Sequence, residues 1–110
     1  MSKRRNLAVA DAAEQFAIAV TQLSDRTRRL LHRQQLLSAA QSVSSNIAEG
    51  FGRATTADRN NRLVIARGET EESIKHLRLN FATKRITPHD YWPLYNRGVT
   101  IVKMLNSLLA

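Results

Sequence analysis

Apolar residues recur along this chain at three- and four-residue steps, in four stretches joined by short polar connections. That spacing places one side of each stretch on a single helical face. In the first stretch, Leu7 to about Ser24, the stripe is Val9, Ala12, Phe16, Val20 and Leu23. Asp11 and Glu14 lie near its start, where the helix dipole favours carboxylates. Residues 1–6, with Lys3, Arg4 and Arg5, read as a frayed basic tail ahead of it.

The second stretch follows an arginine-dense connection over Ser24 to Arg29 and runs to Glu49. Leu30, Leu37, Ala40, Val43, Ile47 and Phe51 share its apolar face. Small residues crowd this helix (Ser38, Ala39, Ser42, Ser44, Ser45, Ala48) and allow close approach of a neighbouring backbone, so a central position is expected. Gly50 suits a left-handed residue just past the helix end, with Phe51 folding back onto the last turn.

Thr55 predicts the cap of a third helix, with Asp58 three residues on, and the helix runs to about Lys84. Its main stripe is Leu63, Ala66, Thr70, Ile74, Leu77 and Phe81. Val64, Ile65, Gly68 and Leu79 form a second apolar set on roughly the opposite side, which must be covered separately. A mid-helix glycine costs about 1 kcal/mol relative to alanine, so Gly68 suggests close backbone packing. After a turn over Ile86 to His89, a fourth helix is expected with its N-cap near Asp90 and Pro93 in the first turn. Tyr91, Leu94, Gly98, Ile101, Val102, Leu105, Leu108 and Leu109 face inward, while Trp92 and Val99 fall off that face. No stretch alternates as a strand would. Short connections imply antiparallel neighbours, so the expected fold is all-α: a single antiparallel up-down-up-down four-helix bundle over residues 7–110. Leu37 or Leu77 replaced by alanine should cost roughly 2–5 kcal/mol as core truncations.

The wording Gln35-Leu36, then Ser42-Val43-Ser44-Ser45-Asn46-Ile47-Ala48-Glu49-Gly50-Phe51-Gly52-Arg53, resembles the four-helix-bundle family associated with intervening sequences in bacterial large-subunit rRNA genes, sometimes misnamed a ribosomal protein. The likeness continues through Ala66-Arg67-Gly68 with Glu72, and through Lys103-Met104-Leu105-Asn106-Ser107-Leu108. The resemblance implies a bacterial cytosolic bundle that assembles as a homopentameric ring. A more distant relative is the accessory protein of diversity-generating retroelements, which works with a reverse transcriptase and RNA. This chain departs from the usual pattern at Leu37 and Ser38, where a basic pair is usual, at Ser44 for proline, at Glu69 for serine and at Ser73 for leucine.

Charge changes the picture most. The 110 residues carry a formal net charge of +8, which favours anionic partners, nucleic acid before membrane surface. The helices lack the polar-basic and aromatic faces that membrane-surface binding needs. No apolar run approaches the roughly 20 residues of a membrane span, and no secretory signal is visible. The absence of cysteine suits a reducing cytoplasm.

Folding the chain up and down gathers Arg26, Arg28, Arg29, Arg33, Lys84 and Arg85 at one end, and Lys3, Arg4, Arg5, Arg53, Arg59 and Arg62 at the other. Those two sets of six make twelve of the seventeen basic residues, and no basic stripe runs along a helix. Arg26, Arg29 and Arg33 are in phase with the core, so they overhang the bundle or the second helix starts later. In a ring each end becomes a basic rim suited to phosphate backbone, read by charge and shape. The oligomer contact is assigned to Val64, Ile65, Gly68, Leu79, Trp92 and Val99. The other reading is an oligomeric scaffold whose partners are proteins.

Asn46, Glu49 and Arg53 lie at i, i+3 and i+7, and are read with Gly50 as a structural polar motif that Glu72 completes. A di-metal carboxylate site needs repeated Glu-x-x-His pairs; Glu72 with His76 is a lone i,i+4 pair, and His32, His76 and His89 read as surface or boundary residues. No nucleophile–base pair and no phosphate loop is present. No catalysis, cofactor, metal or small-molecule substrate is therefore expected.

Overall fold

The computed structural model describes residues 3–110. Four helices, α1 (Lys3–Arg26), α2 (Arg33–Phe51), α3 (Thr56–Ala82) and α4 (Pro88–Leu109), form a four-helix bundle with no strand among the described residues. It measures 43 × 21 × 19 Å. The backbones of α1–α2, α2–α3, α3–α4 and α4–α1 approach one another closely, and those of the diagonal pairs do not. Each helix therefore has two neighbours, and α2 is not central; its small residues instead let α3 approach.

The core follows the stripes with local shifts. Val9, Phe16, Val20 and Leu23 of α1 are fully buried, with Ala13 in place of Ala12. On α2 the buried leucine is Leu36, and Leu37 is only partly covered. Positions 36, 40, 43 and 47 follow the four-three-four step of one helical face, and 37 falls beside it. On α3, Leu63, Ala66 and Leu77 are buried, but Ile74 and Phe81 are half-buried; Thr70, Ser73, His76 and Asn80 take the remaining inward positions. The hydroxyls satisfy themselves on the preceding turn: Thr70 donates to Ala66 O and Ser73 to Glu69 O, each at 2.8 Å.

Several boundaries differ from the sequence expectation. α1 already includes Lys3 to Asn6, so these are helical and not a tail; Met1 and Ser2 lie outside the described residues. Asp11 and Glu14 consequently stand beyond the first turn, which is basic. α2 starts only at Arg33, after the turn over residues 27–32. Gly50 lies inside α2 and not past its end, and no glycine has positive φ. Its function is space: a Cβ there would lie 3.2 Å from Arg62 Cβ and 3.3 Å from Arg59 O. Thr55 caps α3 as expected, accepting from Asp58 N–H. α4 begins earlier than expected, with Thr87 as N-cap and Pro88 in the first turn, so Pro93 is inside the helix. Proline suits the first helical positions because the missing N–H has no partner there anyway.

α3 ends at Ala82 with a left-handed cap. Lys84 (φ 60°) turns the chain so that its N–H reaches Phe81 O and the Arg85 N–H reaches Asn80 O. Glycine is the usual residue for this conformation, because a Cβ is strained there.

Candidate functional site

The two basic ends are not equivalent. At the end that brings residues 26–29 beside residues 83–87, Arg28, Arg29, Lys84 and Arg85 help to line an open cup of about 400 Å³. Arg28, Arg29 and Lys84 are exposed and Arg85 half-buried. None of the four is in an ion pair among the described residues. Arg26, also on the rim, pairs with Asp90 at 3.0 Å.

Arg33 does different work. Its guanidinium donates to Ser24 O, Ser24 Oγ and Thr27 O, satisfying carbonyls at the end of α1. This resolves the phase conflict noted in the sequence: Arg26 ends α1, Arg29 is in the turn and Arg33 begins α2.

A buried amide holds the cup's first wall in place. Asn80, with no solvent exposure, accepts from Leu31 N–H (2.8 Å) and donates to Leu31 O (3.1 Å) and His76 O (2.9 Å). The turn carrying Arg28 and Arg29 is thereby tied to α3. Asn80 escaped the sequence reading because its partner is 49 residues away, although an asparagine in the core phase of α3 was a legible signal.

At the opposite end Arg5, Arg53, Arg59 and Arg62 have partners, whereas Lys3 and Arg4 are exposed and in no ion pair among the described residues. Arg62 pairs with Glu49 at 3.1 Å and donates to Asn46 Oδ1 at 3.4 Å; Arg53 lies 3.8 Å from Glu49. Asn46 also donates to Ser42 O at 2.9 Å. Arg59 donates to Leu108 O at 3.2 Å, near the end of α4, and Arg5 donates to Ser107 Oγ. Asn46, Glu49, Gly50 and Arg53 thus meet Arg62 in one α2–α3 junction. Glu72 is not part of it. Glu72 Oε1 lies 3.0 Å from His76 Nε2, in a contact outside hydrogen-bond alignment. His76 is buried, contrary to its reading as a surface or boundary residue, and its ring stacks on His32 at 5.4 Å.

The outer apolar set remains uncovered in the single chain. Val64, Ile65, Leu79 and Trp92 are 39–47% exposed, and Val99 is half-buried. Gly68 has nothing within 4 Å of a built Cβ, so no close packing explains it inside this subunit. The close contact is instead at Gly98, where a Cβ would meet Ile74 Cγ1 at 2.8 Å. Phe81 and Tyr91 stack at 4.1 Å and Trp92 meets both edge-on. Burial raises the Tyr91 phenol above its ordinary pKa; the positive charge of Arg78 opposes this and Tyr95 adds to it.

No group of three metal-ligating side chains occurs among the described residues, and no described helix is long and apolar enough to cross a membrane.

The similarity to known proteins matches this geometry. A solved protein of unknown function from the S23 ribosomal protein family of Bacteroides thetaiotaomicron is 28% identical, with a TM-score of 0.86 over 92% of this chain and 97% of that one. No curated protein matches. The segments that carried the resemblance meet in space, as where Arg67 of α3 donates to Asn106 of α4 at 2.8 Å. Residues 5–107, which take in the α2–α3 junction and the cup, match the family: the chain belongs to the 23S rRNA-intervening sequence protein family.

Proposed function

We propose that this protein is a non-enzymatic, cytoplasmic accessory protein that binds nucleic acid, RNA in preference to DNA, through the phosphate-facing cup of an antiparallel up-down-up-down bundle. The observation that carries the reading is the set of four cations, Arg28, Arg29, Lys84 and Arg85, gathered at one end without acidic partners. The alternating helix direction is supported by contacts at both ends of the α1–α4 pair: Arg26 with Asp90, and Arg5 with Ser107. The family's association with rRNA intervening sequences favours RNA. Of the eight arginines proposed from sequence, Arg28, Arg29 and Arg85 carry the binding, with Lys84 added and Arg26 at the rim. Arg33, Arg53, Arg59 and Arg62 are assigned to holding the bundle together.

Self-association is the second part of the reading, favoured by the exposed face of Val64, Ile65, Leu79 and Trp92 and by the uncovered Gly68. A homopentameric ring is what the family resemblance implies, and mass measurement in solution counts the subunits.

The test titrates a fluorescent single-stranded RNA with nuclease-treated protein. Four phosphate contacts imply a slope of about −2.8 in log affinity against log salt for a single strand. Affinity then falls roughly 50-fold between about 50 and 200 mM salt. Replacing Arg28, Arg29, Lys84 and Arg85 by glutamine should abolish this binding, whereas replacing Arg53, Arg59 and Arg62 should leave affinity per folded molecule nearly intact. Equal losses from the two ends would mean diffuse charge attraction, and the scaffold reading would replace this one.

A further inference from the structure

The basic end is concave, and its shape selects among phosphate ligands. A nucleic-acid duplex presents its phosphates in rows on a convex surface, whereas a small concave cup suits a single projecting phosphate. A cup of about 400 Å³ falls in the range of small-ligand clefts, roughly 300–1,000 Å³. It has room for the end of a strand. We infer that the cup formed by the α1–α2 and α3–α4 connections binds a terminal phosphomonoester of a nucleic-acid strand; this rests on the nucleic-acid reading above and deepens it.

Three observations converge. The cations come from two separate connections, Arg28 and Arg29 from one and Lys84 and Arg85 from the other, so one small cup collects charge from both. A terminal monoester carries about −1.5 to −2 at pH 7 with three acceptor oxygens, against −1 for an internal diester. Arginine forks meet such oxygens in pairs. Thr27 and Thr87 also line the cup, and their hydroxyls can donate to the same group, whereas the Thr83 hydroxyl already donates to Leu79 O. The one carboxylate in the wall, Asp90, is already met by Arg26 at 3.0 Å, which limits its repulsion of an anion.

The second connection also holds a residue against its conformational preference. Lys84 occupies a left-handed position where glycine costs less. A lysine kept there places charge on the cup at the expense of local stability, a pattern expected where a strained residue serves binding. The arginines that satisfy helix-end carbonyls, Arg33 and Arg59, lie elsewhere, so the cup's cations are not needed for capping.

The experiment compares one short single-stranded RNA in three forms: 5′-phosphate, 3′-phosphate, and hydroxyl at both ends. Binding to the full chain is read by anisotropy in about 0.15 M salt, where distant surface charges are screened. A phosphorylated end should bind about five- to tenfold tighter than the hydroxyl form, and the two phosphorylated strands show which end enters. The preference should shrink as the pH falls through about 6, where the monoester takes its second proton. Arg29→Gln with Arg85→Gln should erase the preference, and Arg29→Lys with Arg85→Lys should retain part of it; circular dichroism checks that both are folded. Equal affinity for the three strands, still steep in salt and still dependent on the cup, would overturn end recognition and leave phosphate binding standing. Failure to bind any strand would overturn both.

Discussion

Replacing Asn80 by alanine tests whether a single buried amide positions the basic cup. In the folded chain Asn80 serves both polar groups of the Leu31 peptide positions, accepting from the N–H and donating to the C=O. Truncation leaves two backbone groups without this partner, at about 1–3 kcal/mol for each one fully buried. Leu31 is half-buried, so water recovers part of that, and the lower end of the range applies to each group. The lost side-chain volume adds a cavity at a position with no solvent exposure. The sum is about 2–4 kcal/mol, or roughly 9–17 °C in Tm for a domain of this size. Urea denaturation should show a lower midpoint with unchanged slope, and the Leu31 amide should exchange faster than its neighbours. Because Arg28 and Arg29 are on the same turn, RNA affinity should drop in conditions where the variant is still folded. A stability loss below about 0.5 kcal/mol would refute the reasoning, since two half-buried backbone groups and a vacated core position together cost more than that.

Gly68→Ala should raise stability by about 0.5–1 kcal/mol, because its site is open and mid-helical. Gly98→Ala should lower it by about 1–3 kcal/mol through contact with Ile74. Paired urea melts measure both, and a loss at Gly68 would place another copy of the chain against that face. Lys84→Gly should stabilise by about 1 kcal/mol by relieving the left-handed backbone while weakening RNA binding, a split read by melts and anisotropy together. Glu49→Ala removes contacts to Arg62 and Arg53 from a half-exposed carboxylate, so it should cost about 0.5–1 kcal/mol without changing RNA affinity per folded molecule. Tyr91 holds its proton more tightly in the folded chain than in the unfolded one. Its contribution is therefore complete below pH 10 and declines as pH rises through the raised folded pKa; Tyr91→Phe should flatten that alkaline loss in melts across pH.

Local periodicity determined much of this protein. Four apolar stripes specify four helices, and Thr55 with Asp58 marks the start of α3, because a cap and its acceptor are three residues apart. The second apolar set on α3 was equally legible, and Val64, Ile65 and Leu79 are exposed together as the helical angle requires. Where the stripe was ambiguous by one residue, as between Leu36 and Leu37, the neighbouring helices decided which leucine is covered. Boundaries slipped where a cap was misplaced: Thr87, not Asp90, starts α4, because its hydroxyl takes the Asp90 N–H.

The division of labour among the arginines was decided only by tertiary structure. Sequence shows that Arg28, Arg33, Arg59 and Arg62 lie near helix ends, but a guanidinium reaches far enough to choose among many partners. Arg33 turns inward to the carbonyls of α1, Arg59 reaches Leu108 O, and Arg62 finds Glu49, while Arg28 and Arg29 stay outside. Asn80 joins Leu31 across 49 residues, a distance at which no periodicity operates. Helices come from neighbours along the chain, which the order of residues records directly. The cup comes from which side chains the packed helices leave without partners, and that is a property of the whole bundle.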